Sequence, residues 1–112
     1  MAYPKIHCEY DFSMFAEEIL CDESKKFDYS VDFMDSLLST DGSLLPTLLN
    51  KVQKVLLNPH QGKHLKSNLK GWKEVRVTKN YRLYFKFDSQ KNLVYLQNFS
   101  HKKYQKKLML NT

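Results

Sequence analysis

The second half of the chain carries side chains that could hold a phosphate and move a proton. Arg82 is the best candidate for the phosphate, because a guanidinium offers a fork of N–H donors that matches phosphate oxygens and stays charged. Arg76 and Lys66 could assist it. His101 is the candidate for proton transfer, because this is a usual role of histidine, with either His64 or Glu74 as its counterpart.

Two predicted strands position these groups. Residues 72–78 and 81–87 each alternate apolar with polar side chains, as a half-buried strand does. The polar turn 78–80 joins them into a hairpin. The face away from the apolar side chains then carries Glu74, Arg76, Arg82, Tyr84 and Lys86.

Apolar periodicity and turn residues predict the other elements. Helices are expected over residues 11–21, 34–38 and 45–57, and further strands over residues 27–33 and 93–99. Pro46 fits the first turn of the long helix, and the Asn58–Pro59 step ends it. The order predicts an α+β fold, a small antiparallel sheet of about four strands with helices packed on one face.

Composition limits the function classes. At 112 residues the chain fits one domain, and no apolar run approaches the roughly 20 residues that span a bilayer. Neither of the two cysteines belongs to a CxxC pair or a Cys/His ligand set, which argues against a structural zinc site. Without a signal peptide, the expectation is a soluble intracellular protein.

The net charge of +6 is unevenly distributed along the chain. Residues 1–24 contain one lysine and six acidic residues, whereas residues 25–112 contain seventeen basic and six acidic residues. Surplus positive charge suits RNA, DNA or an acidic protein partner. The acidic helix over residues 11–21 could either pack as an ordinary extension or cover the basic surface.

Residues 56–85, LLNPHQGKHLKSNLKGWKEVRVTKNYRLYF, and residues 97–104, QNFSHKKY, resemble the RelE/ParE toxin superfamily of bacterial toxin–antitoxin systems. The resemblance implies a four-stranded antiparallel sheet with an open basic groove opposite its helices. It divides the chain into an acidic N-terminal extension, residues 1–25, and a RelE-like toxin domain, residues 26–112. RelE/YoeB-like members of this superfamily cut mRNA without a metal, whereas ParE-like members poison DNA gyrase.

The resemblance also assigns roles to residues. Arg82 matches the arginine that contacts the scissile phosphate, with Arg76 at a neighbouring position that is often cationic. His101 matches the position of a catalytic His or Arg on the final strand. Tyr104 stands near the place of a terminal aromatic residue. The loop position where YoeB-like members place a glutamate base falls near Lys63, which leaves no carboxylate there.

The resemblance and these residues together imply a metal-independent endoribonuclease, which cleaves mRNA by using the 2′-OH of the RNA as the nucleophile. The resemblance further implies that it acts at the ribosome and inhibits translation. The resemblance implies a bacterial cytoplasmic toxin with a cognate antitoxin and no cofactor. The predicted catalytic residues are Arg82, His101, Arg76, Glu74, His64 and Tyr104. The predicted RNA-binding residues are Lys63, Lys66, Lys70, Tyr84, Lys86, Lys102 and Lys103.

Several alternatives stay open. The chain could inhibit gyrase, or bind RNA or an antitoxin without catalysis. Arg82 could be the cross-strand ion-pair partner of Glu74, and His101 could merely end a strand. His64 could be an ordinary loop residue, and Trp72 and Tyr84 could be packing residues.

Overall fold

The computed structural model describes residues 5–21, 25–64 and 71–101. Within these ranges the chain forms three helices and five strands, which confirms the predicted α+β class. In chain order the elements are α1 (Glu9–Ile19), β1 (Lys26–Tyr29), α2 (Val31–Leu38), α3 (Leu45–Leu57), β2 (Lys63–His64), β3 (Lys73–Arg76), β4 (Tyr81–Asp88) and β5 (Leu93–His101).

The strands form one sheet in the order β1-β5-β4-β3-β2. The predicted hairpin is present as β3 and β4, and β5 pairs antiparallel with β4. Two features go beyond the prediction of about four antiparallel strands: the two-residue β2 lies in the predicted loop, and β1 runs parallel to β5. A parallel pair needs a long crossover connection, so no local pattern reveals its direction.

The strand predicted over residues 27–33 is wrong beyond Tyr29, where a helix begins. The Ser30 hydroxyl accepts a hydrogen bond from the Phe33 amide at 2.9 Å and thereby caps α2. Phe33 is fully buried as a helical residue. Alternation of aromatic and polar residues favoured a strand up to residue 33, but the serine cap follows directly after Tyr29 and ends the strand there.

The long helix α3 has the predicted bounds, with Pro46 in its first turn. Its last carbonyls gain partners from outside the helix, because Lys25 Nζ donates to Leu57 O and Gln61 Nε2 donates to Lys54 O. Its buried side chains are Leu48, Leu49, Val52, Val55 and Leu56. No helix in the three described ranges is both long enough and apolar enough to cross a membrane.

The acidic helix α1 is part of the core. Phe12 is fully buried and makes edge-type ring contacts with Phe27, Tyr29 and Phe33. The Glu9 carboxylate accepts from the Tyr29 hydroxyl, which ties the helix to β1. Because α1 packs against α3 on the helical side of the sheet, it does not cover the hairpin's cationic face.

Replacing Phe12 by alanine should lower the free energy of unfolding by about 3 to 5 kcal/mol, the usual cost of emptying a buried aromatic site. Met14, which is 42% exposed on the same helix, offers a matched control. Met14→Ala should change the free energy of unfolding by less than about 1 kcal/mol. Urea unfolding measures both variants. Small losses of unfolding free energy, equal in the two variants, would mean that α1 does not contribute to the core.

Candidate functional site

Alternation along β3, β4 and β5 sorts their side chains onto two faces, since cross-strand partners share a face and successive residues do not. One face packs on the helices through apolar side chains such as Leu83, Phe85 and Leu96. We call the other one the polar face. It carries Lys63, Trp72, Glu74, Arg76, Arg82, Tyr84, Lys86, Tyr95, Asn98 and Ser100.

Two arginines are cross-strand partners at one end of the polar face. Arg76 is the cross-strand partner of Arg82, which is in turn the partner of Ser100. Like charges in this arrangement are destabilising, and among the described residues no carboxylate pairs with either guanidinium, Glu74 included. A phosphate bound between them would remove the repulsion and accept their N–H groups.

The head of Arg82 is held by the turn that precedes it. Its Nη1 donates to three backbone carbonyls, those of Thr78 at 3.1 Å, Lys79 at 3.3 Å and Tyr81 at 3.3 Å. A guanidinium has five N–H donors, and these three bonds all use the same nitrogen. The side chain is therefore oriented without engaging Nη2 or Nε in the described part of the chain.

Among the residues that the structure describes, three on the same face as the two arginines have a buried polar atom without a hydrogen-bond partner. Glu74 pairs with Tyr84 across the hairpin, and Glu74 Oε2, the Tyr84 hydroxyl and Ser100 Oγ all lack partners. Most buried polar groups in folded proteins are satisfied, and each one that is not costs about 1 to 3 kcal/mol. Three such atoms next to two arginines suit a polar ligand.

Tyr84 is neutral at physiological pH and can act as a proton donor. It is only 2% exposed, and burial raises the pKa of its hydroxyl to about 12, with the negative charge of Glu74 adding to the rise. The positive charge of Arg82 lowers it in part. The carboxylate, the phenol and the guanidinium thus act on one another electrostatically.

Both candidate histidines lie on the other side of the sheet. His101 pairs with Tyr81, and the two rings meet at 5.3 Å, while Tyr81 stacks on Phe99 of the core. His64 pairs with Lys73, whose ammonium is buried and donates to Pro59 O. The register therefore places His101 on the face opposite to Arg82, which separates two residues that the sequence analysis assigned to one reaction.

A β-bulge decides the position of His101. Between the pairs Tyr84↔Asn98 and Phe85↔Leu96, strand β5 has one extra residue, Gln97. One extra residue exchanges the faces of all side chains beyond it. Ser100 therefore joins Arg82 on the polar face, and His101 turns towards the helices, where it lines a cavity of about 420 Å³ with Ser36, Thr40 and Asp41.

The predicted RNA-binding residues divide into those on the polar face and those outside the described residues. Lys63 is exposed on β2 as the partner of Glu74, and Lys86 lies over the Trp72 ring. The remaining predicted site residues are outside the described ranges: Lys66, Lys70, Lys102, Lys103 and Tyr104. No group of three or more potential metal ligands occurs within those ranges.

Sequence reasoning missed Ser100, Asn98 and Tyr95 as members of the polar face. Asn98 is 8% exposed and pairs with Tyr84, and Tyr95 pairs with Lys86. Simple alternation along β5 would put Asn98 and Tyr95 on opposite faces, so only the bulge explains why both lie on one. No signal in the sequence marks Gln97 as the extra residue.

Comparison with known proteins identifies relatives by sequence and others by fold. No family model matches the chain. A candidate toxin named RelE4 from Methanocaldococcus jannaschii is 30% identical over 80 residues, which cover 65% of this chain and 85% of that protein. This level of identity and coverage is sufficient to define a family relationship.

Solved structures share the fold at low sequence identity. A YoeB/ParE toxin from Agrobacterium tumefaciens superimposes with a TM-score of 0.61 at 14% identity, covering 68% of this chain and 96% of that one. The intact RelBE toxin–antitoxin complex of E. coli contains a chain that superimposes with a TM-score of 0.59 at 16% identity, with coverages of 69% and 95%. These likenesses concern the fold alone.

A tyrosine that ionises near pH 12 should appear in an alkaline titration followed by tyrosinate absorbance. Between the ordinary pKa of 10.0 and this value the unfolded chain releases the proton first, so the free energy of unfolding should fall as pH rises. Tyr84→Phe should remove the late step and reduce the fall in the free energy of unfolding, to which Tyr29, whose pKa is also raised by burial, still contributes. Tyr29→Phe should leave the late step in place. An unchanged curve in Tyr84→Phe would contradict the burial of this hydroxyl.

Proposed function

The chain belongs to the RelE/ParE toxin superfamily, and on that premise we propose that it is an RNA-cleaving toxin that needs no metal ion and is neutralised by an antitoxin protein. Its substrate is messenger RNA, and its place of action is the cytoplasm. The reaction takes place on the polar face, around Arg82, Glu74 and Tyr84.

One observation carries this proposal: within the described ranges, two cross-strand arginines have no carboxylate partner and share a face with three residues that each have a buried polar atom without a hydrogen-bond partner. An arrangement that costs stability when empty is expected at a ligand site. A ribose–phosphate link supplies what is missing, because its phosphate oxygens accept from Arg76 and Arg82, and its 2′-OH donates to Glu74.

The side chains present are sufficient for the reaction. Glu74 takes the proton of the 2′-OH, and the 2′ oxygen attacks phosphorus, while Arg82 stabilises the charge that develops on the phosphate oxygens. The bond between phosphorus and the 5′ oxygen breaks, leaving a 2′,3′-cyclic phosphate. The Tyr84 hydroxyl gives its proton to the departing 5′ oxygen and regains one from neighbouring Glu74.

Histidine has no part in this scheme. His101 was predicted as the acid or base, with His64 or Glu74 as its counterpart. Both histidines lie on the helical side, so the Glu74 carboxylate and the Tyr84 phenol are the titratable groups on the same face as Arg82. Tyr84, with a pKa near 12, is a weaker acid than a histidine. We therefore expect slow cleavage compared with a nuclease that uses an imidazole.

The antitoxin is proposed to cover the polar face. RelE in E. coli forms a complex with RelB, and the uncompensated cations of this face suit an acidic segment of such a partner. Bound carboxylates would replace the phosphate between Arg76 and Arg82. Inhibition and substrate binding then compete for the same groups.

Glu74→Gln should reduce the rate of RNA cleavage by about 10² to 10⁴, because the amide keeps the shape but cannot accept the proton. Arg82→Ala should cost about 10² to 10³, the usual loss of one stabilising donor. Cleavage of a labelled single-stranded RNA, with and without ribosomes and in the presence of a chelator, measures both. Lys91→Ala, which removes an exposed charge of the β4–β5 turn, is the control and should stay within about two-fold.

Two results would reject this assignment. If Glu74→Gln cleaves RNA as fast as the unmodified chain, the carboxylate is not the proton acceptor. If no RNA is cleaved under any condition while the chain still arrests growth, the toxin acts by binding alone, and inhibition of gyrase becomes the activity to measure.

A further inference from the structure

At the other end of the polar face, about four residues along β4 from Arg82, lies a group that the proposed reaction does not use. We call it the aromatic row, and it consists of Trp72, Lys86 and Tyr95. Lys86 Nζ lies 3.8 Å from the centre of the Trp72 ring. Lys86 is the cross-strand partner of Tyr95, and the Tyr95 ring lies 6.3 Å from that of Trp72 at 56°.

The charge of Lys86 is held by a ring rather than by a carboxylate. A cation over the face of tryptophan is attracted by the ring quadrupole, and tryptophan is the best of the aromatic residues for this. The side chain is half-buried, and no carboxylate pairs with it among the described residues. The ammonium is thus oriented and partly desolvated while its full positive charge remains available to an anion.

The two rings have different roles. Trp72 is only 9% exposed, and Lys86 covers one face of it, so its ring has little free surface for a ligand. Tyr95 is only half-buried. A ring of this kind can stack with a nucleobase irrespective of sequence.

A negative charge next to the aromatic row determines how a nucleotide would be oriented on it. Asp28 on β1 is the cross-strand partner of Tyr95 and is exposed, and its carboxylate would repel a phosphate on that side. Lys86 stands on the opposite side of Tyr95, towards β3. A nucleotide at this row would therefore place its phosphate at Lys86 and its base on Tyr95.

The row is too far from Arg82 to act on the same phosphate. Four residues of a strand span about 13 Å. Glu74, Tyr84 and Asn98 occupy the space between the two ends. A single-stranded nucleic acid running along β4 on the polar face would meet the guanidiniums at one phosphate and the aromatic row at another.

We propose that the aromatic row is a second subsite of the polar face, which binds a nucleotide of single-stranded RNA next to the cleaved link. Tyr95 stacks on its base and Lys86 contacts its phosphate. Trp72 is a positioning residue, which acts by holding Lys86. This inference rests on the proposed function, since it extends the substrate of the same face from one phosphodiester link to a longer single strand.

The test measures binding and cleavage of single-stranded RNA separately. Tyr95→Leu should weaken binding of an RNA of about eight nucleotides by about ten-fold or more. Tyr95→Phe, which keeps the ring, should bind this RNA as tightly as the unmodified chain does. Lys86→Met should weaken binding and lower the slope of log affinity against log salt by about 0.7, as expected for one lost phosphate contact with a single strand. Lys91→Met is the matched control for the loss of one exposed charge.

Cleavage distinguishes a subsite from a structural role. For the long RNA both Tyr95→Leu and Lys86→Met should raise KM far more than they lower kcat. The same variants should show a much smaller penalty on a dinucleotide, which reaches only the guanidiniums. Urea unfolding of each variant separates a loss of binding from a loss of fold.

The outcomes separate this inference from the proposed function. Weakened binding in both variants, without cleavage by the unmodified chain, would support the subsite and reject the nuclease. Cleavage with unchanged KM in both variants would reject the subsite and keep the nuclease. A change in antitoxin affinity with unchanged affinity for RNA would also overturn the subsite, because the row would then serve a protein partner.

Discussion

The extra residue in β5 is the constraint on which the arrangement of the site depends. Gln97 has no partner in the β4–β5 ladder, and its carbonyl instead accepts a hydrogen bond from the Ser30 hydroxyl. The same hydroxyl caps α2, so one serine connects the start of a helix to the bulge. Because side chains alternate with a period of two, this residue determines which side of the sheet each later residue faces.

The bulge explains the chemical character of the polar face. It brings Ser100 beside Arg82 and turns His101 towards the helices. The titratable groups left on the face of the two arginines are a carboxylate and a phenol, each with a buried atom that has no hydrogen-bond partner in the described part of the chain. Such a site costs stability when empty, and the buried core formed by the helices and the other face of the sheet offsets that cost.

The two sides of the sheet have different charge. The helix α1 contributes Phe12 to the core and exposes acidic residues, including Glu17 and Glu18, on the helical side. The polar face carries Arg76, Arg82 and Lys86 without carboxylate partners in the described part of the chain. Separation of the charges by the sheet leaves the cations free to attract a polyanion, and the acidic segment does not neutralise them.

Much of this architecture follows from the sequence by itself. The stripe of leucines and valines, Pro46 and the Asn58–Pro59 step define α3, because helix periodicity and the restrictions of proline act locally. Alternation likewise defines the β3–β4 hairpin and puts Glu74, Arg82 and Tyr84 on one face. These predictions were correct because each depends on residues that are close in sequence.

Other features depend on contacts between distant residues, and only the tertiary structure decided them. The strand β1 pairs in parallel with β5 across more than sixty intervening residues, and Ser30 ends it early by capping α2 while it binds Gln97 O. The place of the bulge depends on how β5 meets both of its neighbours, which alternation within β5 does not encode. For that reason the sequence determined which side chains could do chemistry, and the fold decided that His101 does not join Arg82.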